Sequence, residues 1–393
     1  LLGTGTQANA ALGETAAPAS VFGYAVADEP QAALVARQVL DEGGDAADAA
    51  AAAGFALSVT LPSRAGLGGG GACVLKMPDA TGAMQPAAVL NFPAGVPGST
   101  GGSRPAAVPA MARGLLALQA RYGDLPYASV IVPAERLAGG VPVSRALAAD
   151  LAVVGNALLA DPAAASVFGP NGHVLQAGDN LAQPDLAATF EVLRTQGVQG
   201  FYSGVFAGQF TSAADAAGGG LTVQDMDEAA PRFTPPVLTP HGDYEIATMP
   251  TPPMAGEVLP ASAAFGAVDK NGGVVMCAVS MNNLFGTGRV APGTGVLLAA
   301  SPRSGPAPSL AAGIAYWPDS LRFRAAATGT GQQGAAGAVT GALDAALAGE
   351  RNPVVPEPGR ANLVTCPQGL PDGEASCSAS ADPRGQGLAV GGR

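Results

Sequence analysis

The sequence predicts an α+β fold in which two sheets are sandwiched between layers of helix, and three observations point to it. Residues 43–71, GGDAADAAAAAGFALSVTLPSRAGLGGGG, carry an Ala-rich helical run straight into four consecutive glycines, Gly68, Gly69, Gly70 and Gly71. Small residues let a helix pack closely on a sheet, and a glycine tetrad lets backbone approach backbone or a ligand with no Cβ in the way. Short apolar, strand-like runs separated by turns fill the later part of the chain. A second small-residue helical stretch, residues 331–347, closes the order.

Taken in order, apolar residues recurring at three and four predict helices over residues 28–40 and 45–59, and strands follow over 72–77 and 87–92. Residues 103–158 read as mostly helical hairpins punctuated by Pro126 and Pro133. Residues 185–204 begin with another helix. Strands are expected over 244–249, 265–268, 273–281 and 295–299, with Lys270-Asn271-Gly272 as a hairpin turn.

At 393 residues the chain can bury a substantial core. Only 12% of residues are charged, and the net charge of −11 with no Lys/Arg cluster excludes a nucleic-acid partner, whose phosphates need a basic face. No apolar run reaches the roughly 18 to 20 residues of a membrane helix. The Gly/Thr/Ala/Pro-rich lead-in over residues 1–20 suits what remains after removal of a signal peptide or a lipid-anchored arm. Cys366 and Cys377 lie in a Pro/Gly/Ser-rich stretch at a separation that a disulfide closes easily, and that bond is expected, with two free thiols in a reducing compartment as the alternative. Cys73 and Cys277 sit in apolar runs and read as small core residues. With histidine only at His173 and His241, no Cys/His metal site has a ligand pattern, and neither metal nor cofactor is expected.

The residue 43–71 string closely resembles the GGNAVDAA helix and GGGG strand entry of the gamma-glutamyltranspeptidase family. Residues 108–147, the DLAATFEVLR and FYSG segment, GGGLTVQDM and YEIATMPTPP resemble further family motifs in the same order, so the likeness covers most of residues 20–345. It implies an αββα sandwich of the N-terminal nucleophile hydrolase type with added helical hairpins. In that architecture a precursor cuts itself before a Thr, Ser or Cys, and the freed α-amine serves as base for the new terminal hydroxyl or thiol.

Carried over residue by residue, the family's TTH string falls on Ser262-Ala263-Ala264, which places Ser262 at the nucleophile position and removes the neighbouring hydroxyl and imidazole. The family's LN-x-x-FG turn matches Asn282 to Gly288, where the Asn contacts the nucleophile, although a turn of this kind is also kept to shape a strand connection. Its oxyanion loop corresponds to residues 328–333, with Gly329 and Gly331 as the retained glycines; such a hole needs backbone N–H groups rather than particular side chains. Gly68 to Gly71 and Gly286 are the substrate-approach candidates, with packing as their first reading. The Arg that fixes a substrate carboxylate is replaced by Pro93, and the Asp pair that binds its amine by Ala299-Ala300-Ser301-Pro302-Arg303-Ser304, which puts a cation near where an anion is needed. Only a few residues separate Met249-Pro250-Thr251-Pro252-Pro253 from Ser262, whereas the family places there the long connection that is cut.

These departures predict a catalytically degenerate, uncleaved chain acting as a structural or binding component of the cell envelope, with a protein partner or larger envelope complex and a periplasmic or secreted location. The alternative is an active Ser-dependent amidase or gamma-glutamyltransferase, glutathione hydrolase-like with altered specificity, for which Arg64 and Arg289 are the nearest replacement cations. The expected organisation is a lead-in at 1–20, one domain at 21–350 divided at 261/262 into large-subunit-like and small-subunit-like parts, and a Pro/Gly-rich tail at 351–393.

Overall fold

Strand alternation and two runs of alanine sort the chain into four layers. The computed structural model describes residues 22–99, 101–228, 230–250, 262–350 and 353–391. The expected lead-in, the Thr251-Pro252-Pro253 turn and Ala261 lie outside the described residues. The first half contains β1 (Gly23–Ala27), α1 (Pro30–Asp41), α2 (Ala46–Thr60), β2 (Gly70–Lys76), β3 (Ala88–Phe92), α3 (Met111–Tyr122) and α4 (Tyr127–Ala138). It continues with β4 (Val141–Pro142), α5 (Arg145–Leu158), α6 (Pro162–Phe168), β5 (Asn180–Leu181), α7 (Pro184–Tyr202), α8 (Gly204–Ala216) and α9 (Val223–Glu228). Then come β6 (Arg232–Thr234), β7 (Val237–His241), β8 (Tyr244–Thr248), β9 (Ser262–Asp269), β10 (Val274–Ser280), β11 (Val290–Ala291) and β12 (Val296–Leu297). The last elements are β13 (Ala311–Tyr316), β14 (Phe323–Thr330), α10 (Ala335–Leu347), β15 (Arg360–Leu370), β16 (Ser378–Ser380) and β17 (Leu388–Val390).

One antiparallel sheet has the order β17-β1-β9-β10-β2-β3-β6 and the other β16-β15-β14-β13-β8-β7. Because side chains alternate along a strand, each sheet shows one face to the other sheet and one to a helix layer. Ala263, Phe265, Cys277 and Cys73 pack toward the helices around α2, whereas Val268, Met276 and Val74 enter the core shared by the two sheets. On the second sheet Ala326 and Val364 face inward, and Ala325, Ala327 and Leu363 pack under α10. The order is therefore helix, sheet, sheet, helix, the αββα arrangement expected.

Every residue of α2 is buried, which its alanines permit because they add almost no bulk between helix and sheet. Its start is held by a capping box: Asp45 accepts the N–H groups of Ala47 and Asp48 while Asp48 accepts that of Asp45. Asp48, with no solvent exposure, also accepts from Gln119 and from the N–H groups of Asp124 and Leu125. The predicted turn at Lys270-Asn271-Gly272 joins β9 to β10. There Asp269 accepts the N–H groups of Asn271 and Gly273 and reaches across to that of Ala46 at 3.2 Å.

Several expectations need correction. The first helix starts at Pro30 rather than residue 28, because Glu29 caps it and frees Asp28 to bond with β9. Pro133 does not interrupt the helical hairpins; it is buried inside α4. The segment after 351, read as a tail from its composition, supplies β15 to the second sheet and β17 to the first. Its prolines and glycines flank a regular alternation in which Asn362, Val364 and Cys366 share one face, so composition concealed a strand. Cys366 and Cys377 are disulfide-bonded as expected. Cys73 and Cys277 are buried core residues but also bonded to each other, directly opposite across β2 and β10; with 204 positions between them, no spacing signal reveals the pair.

Candidate functional site

Ser262, Ser280 and Gly70 form one row across β9, β10 and β2, since Ser280 pairs with both of the others. They share the strand face of Ala278 and Ala72, which lie in the core between the sheets. Ser262 is therefore turned toward the second sheet at one end of the inter-sheet layer. Across from it, by the same alternation, Thr328 follows Ala326 on β14 and Asn362 precedes Val364 on β15.

The four glycines serve close packing first. A Cβ on Gly68, Gly69, Gly70 or Gly71 would lie 2.3 to 2.5 Å from a backbone atom of Leu297, Ser280, Ala94 or Ala278 respectively. Gly70 and Gly71 also line a cavity of about 410 Å³, while Gly68 and Gly69 do not. Gly286 is packed on the carbonyl of Leu298 and is likewise away from the cavity lining.

Asn282 has a left-handed backbone (φ 62°) and lines this cavity. Its N–H donates to Ser280 Oγ, and its side-chain nitrogen donates to the carbonyl of Ala300, both at 2.8 Å. The Asn turn thus staples the end of β10 to the segment after β12. The same cavity is lined by Pro93 and Ala94 on one side and by Ser301, Pro302, Ser304 and the residues up to Leu310 on the other. Positions assigned by motif to a substrate's carboxylate and amine, more than 200 residues apart in sequence, therefore meet in one cavity with Asn282.

Charge is missing from that lining. Among the described residues it contains no Asp, Glu, Lys or Arg. Arg64, one candidate cation, is engaged by Asp150 through two bonds of 2.7 and 2.6 Å, and Ser63 donates to the same carboxylate. Arg289, the other, is 3.0 Å from Asp161, a carboxylate that also caps α6. Arg303 is exposed and donates to the carbonyl of Ser99. His241 stands on β7 beside Asp344, and His173 lines a separate cavity with Asp179.

Gly329 and Gly331 sit at the matching end of the second sheet but answer to packing. A Cβ on Gly329 would lie 2.5 Å from the carbonyl of Ala335 at the start of α10, and Gly331 combines φ 102° with a Cβ position 2.2 Å from the carbonyl of Pro358. Neither lines the cavity.

Motif reading missed Asp28 and Asn362, and gave Thr328 only as the first residue of the oxyanion-loop match. Asp28 donates its N–H to the carbonyl of Ala264 and accepts the N–H of Ala264 at 2.8 Å, while its second oxygen accepts from Asn362 at 2.8 Å. Burial pushes the Asp28 carboxyl above the usual carboxylate range, and these hydrogen bonds with the charge of Arg64 oppose that shift. Thr328 is fully buried, and its hydroxyl has no hydrogen-bond partner. For Asp28 the sequence signal was its position directly after the apolar YAVA run.

Comparison with known proteins places this geometry in context. Residues 32–263 match the gamma-glutamyltranspeptidase family model. Glutathione hydrolase proenzyme of Bacillus subtilis (strain 168) is 32% identical over 250 residues, which is 60% of this chain and 42% of that protein. The corresponding protein of Escherichia coli (strain K12) is 30% identical, over 60% of this chain and 43% of its own length. The chain thus spans less than half the length of these curated relatives. Among solved structures, cephalosporin acylase from Bacillus halodurans superposes with a TM-score of 0.75 over 99% of both chains at 18% identity, a likeness of fold alone. Helicobacter pylori gamma-glutamyltranspeptidase reaches 0.52 at 28% identity, over 60% of this chain and 71% of that one.

Proposed function

Given that this chain belongs to the gamma-glutamyltranspeptidase family, with an N-terminal nucleophile hydrolase fold, we propose that it is a catalytically degenerate member that remains uncut and uses its cavity for binding. One observation carries the reading: the cavity that unites Pro93, Asn282 and the Ser301 to Ser304 stretch has no charged side chain in its described lining. A γ-glutamyl group brings an α-carboxylate and an α-ammonium, and placing both in a largely apolar cavity without opposite charges costs several kcal/mol. Arg64 and Arg289 cannot relieve this without giving up Asp150 and Asp161.

Two disulfides suit a protein of an oxidising compartment. A periplasmic or secreted protein, binding a partner or joining a larger envelope assembly, is the setting this reading favours.

The second reading, a Ser-dependent amidase, draws support from the row that sets Ser262 beside Ser280 on the face turned to Thr328. The test is intact-mass analysis of the purified chain together with release of nitroaniline from γ-L-glutamyl-p-nitroanilide. One uncut chain of about 38 kDa and no release are expected. Two fragments with Ser262 at a new amino terminus would overturn the degenerate reading and restore an α-amine base to the hydroxyl.

A further inference from the structure

Resting on the reading of the 410 Å³ cavity as a binding site, we propose that its ligand is an uncharged, mainly apolar acyl amide rather than an amino-acid zwitterion. The volume lies within the range of small-molecule sites. Pro93, Ala94, Pro302, Pro306, Pro308 and Leu310 supply apolar surface. The prolines present rigid faces that lose little side-chain entropy when covered and have no N–H to offer a polar ligand.

Hydrogen-bonding groups are few and grouped. Ser280, Asn282 and Asn283 stand where β10 ends, and Ser301 and Ser304 face them from the following loop. Part of their capacity is already committed, the Asn282 amide nitrogen to Ala300 and the Ser280 oxygen to the N–H of Asn282. An amide asks for one donor and one acceptor, which this set can meet. A sugar would press several hydroxyls against proline rings, each an unpaired polar group on burial. A free amino acid would need two opposite charges, and the described lining supplies neither; Arg303, between two lining residues, is exposed and donates instead to the carbonyl of Ser99. Because Ser280 is the direct cross-strand partner of Ser262, an amide held here lies next to the Ser262 row.

Two compounds with the same nitroanilide end separate the alternatives: N-acetyl-L-alanine p-nitroanilide, which is uncharged, and γ-L-glutamyl-p-nitroanilide, a zwitterion. Titration calorimetry on the full chain should show the uncharged compound binding at least about ten-fold more tightly. Ala307 lines the cavity but is exposed, so Ala307→Trp narrows the mouth without disturbing the core. It should weaken that binding about ten-fold or more while leaving the unfolding midpoint unchanged. Ser304→Trp, at a second exposed lining position, should do the same. Equal or tighter binding of the zwitterion, no binding of the uncharged compound, or binding unaffected by both tryptophans would overturn the proposal. Nitroaniline release from the uncharged compound, with tight binding retained, would overturn the degenerate reading and support this ligand class.

Discussion

The two ends of the layer between the sheets differ in how they treat charge. At one end Gly70, Ser280 and Leu310 line a cavity with no charged residue in its described lining, and Ser262 is the cross-strand partner of Ser280. At the other end of the same strands, Lys76 closes β2 and Tyr316 closes β13. Lys76 has 1% of its surface exposed, donates to the carbonyl of Leu321 at 2.5 Å, and lies 5.3 Å above the Tyr316 ring. The Tyr316 hydroxyl in turn bonds Glu245. Leu321 adopts a left-handed backbone (φ 57°) in the connection from β13 to β14 that presents this carbonyl. The layer can therefore hold a buried ammonium when partners are built for it. The absence of charge from the described cavity lining is local, since Pro93 stands there and Arg303 bonds Ser99 outside the lining, and is not a limit of the fold.

The largest expected effect comes from the lysine end. Burial lowers the Lys76 pKa to about 8 from an ordinary 10.5. Below pH 8 both folded and unfolded chains hold the proton, and the folded state bears the burial cost in full. Between pH 8 and 10.5 the folded lysine is already neutral while the unfolded one is not, so raising the pH favours folding. Lys76→Met sheds that cost but leaves the Leu321 carbonyl without its donor, so the net gain should be about 2 kcal/mol at pH 7, shrinking as pH rises to 10.5. Urea unfolding of both proteins at several pH values reads this directly; a gain independent of pH would remove the contrast between the ends.

A smaller effect is expected at Asp28. Asp28→Ala strips partners from the Ala264 N–H and from Asn362, and should cost about 1 kcal/mol of stability by denaturant unfolding. A change within experimental error would show that the start of β9 is held by other means.

The smallest effect belongs to Thr328. Replacing its unpartnered buried hydroxyl by a methyl in Thr328→Val leaves no orphaned partner, so stability should stay within about 0.5 kcal/mol or rise slightly. A loss above about 1.5 kcal/mol would mean that the hydroxyl is bonded in solution, and the site end would be more fully satisfied than this structure has it.

Much of the architecture was legible because local periodicity and tertiary role agree. The Ala-rich run became α2, buried along its whole length, and the Lys270-Asn271-Gly272 turn joined β9 to β10. Strands β13, β14 and β15 were not read. Their glycines, alanines and threonines give weak strand signals, and what makes them strands is pairing within a sheet covered on both faces. The same holds for residues 360–391, where flanking proline and glycine obscured alternation that only a neighbouring strand rewards.

At the candidate site, motif order directed attention to Asn282, Pro93 and the Ser301 stretch, and Pro93, Asn282, Ser301, Pro302 and Ser304 line one cavity. Gly68, Gly69, Gly286, Gly329 and Gly331 proved to be positions of backbone close approach, which sequence cannot separate from ligand approach because both demand a missing Cβ. Asp28 and Asn362 escaped notice for a different reason: they lie 334 positions apart and meet only because β1 and β15 end beside β9.

The sequence by itself determined the family, the αββα order and the loss of the Arg and the Asp pair at the motif positions, since each depends on which residues occur in which order. Tertiary structure alone decided that Arg64 and Arg289 are held by Asp150 and Asp161, that Cys73 bonds to Cys277, and that the described lining of the cavity carries no charge. Those outcomes depend on distances between groups remote in the chain. Whether a charge is free for a ligand or neutralised by a partner is a matter of a few ångströms, which no pattern along the chain encodes.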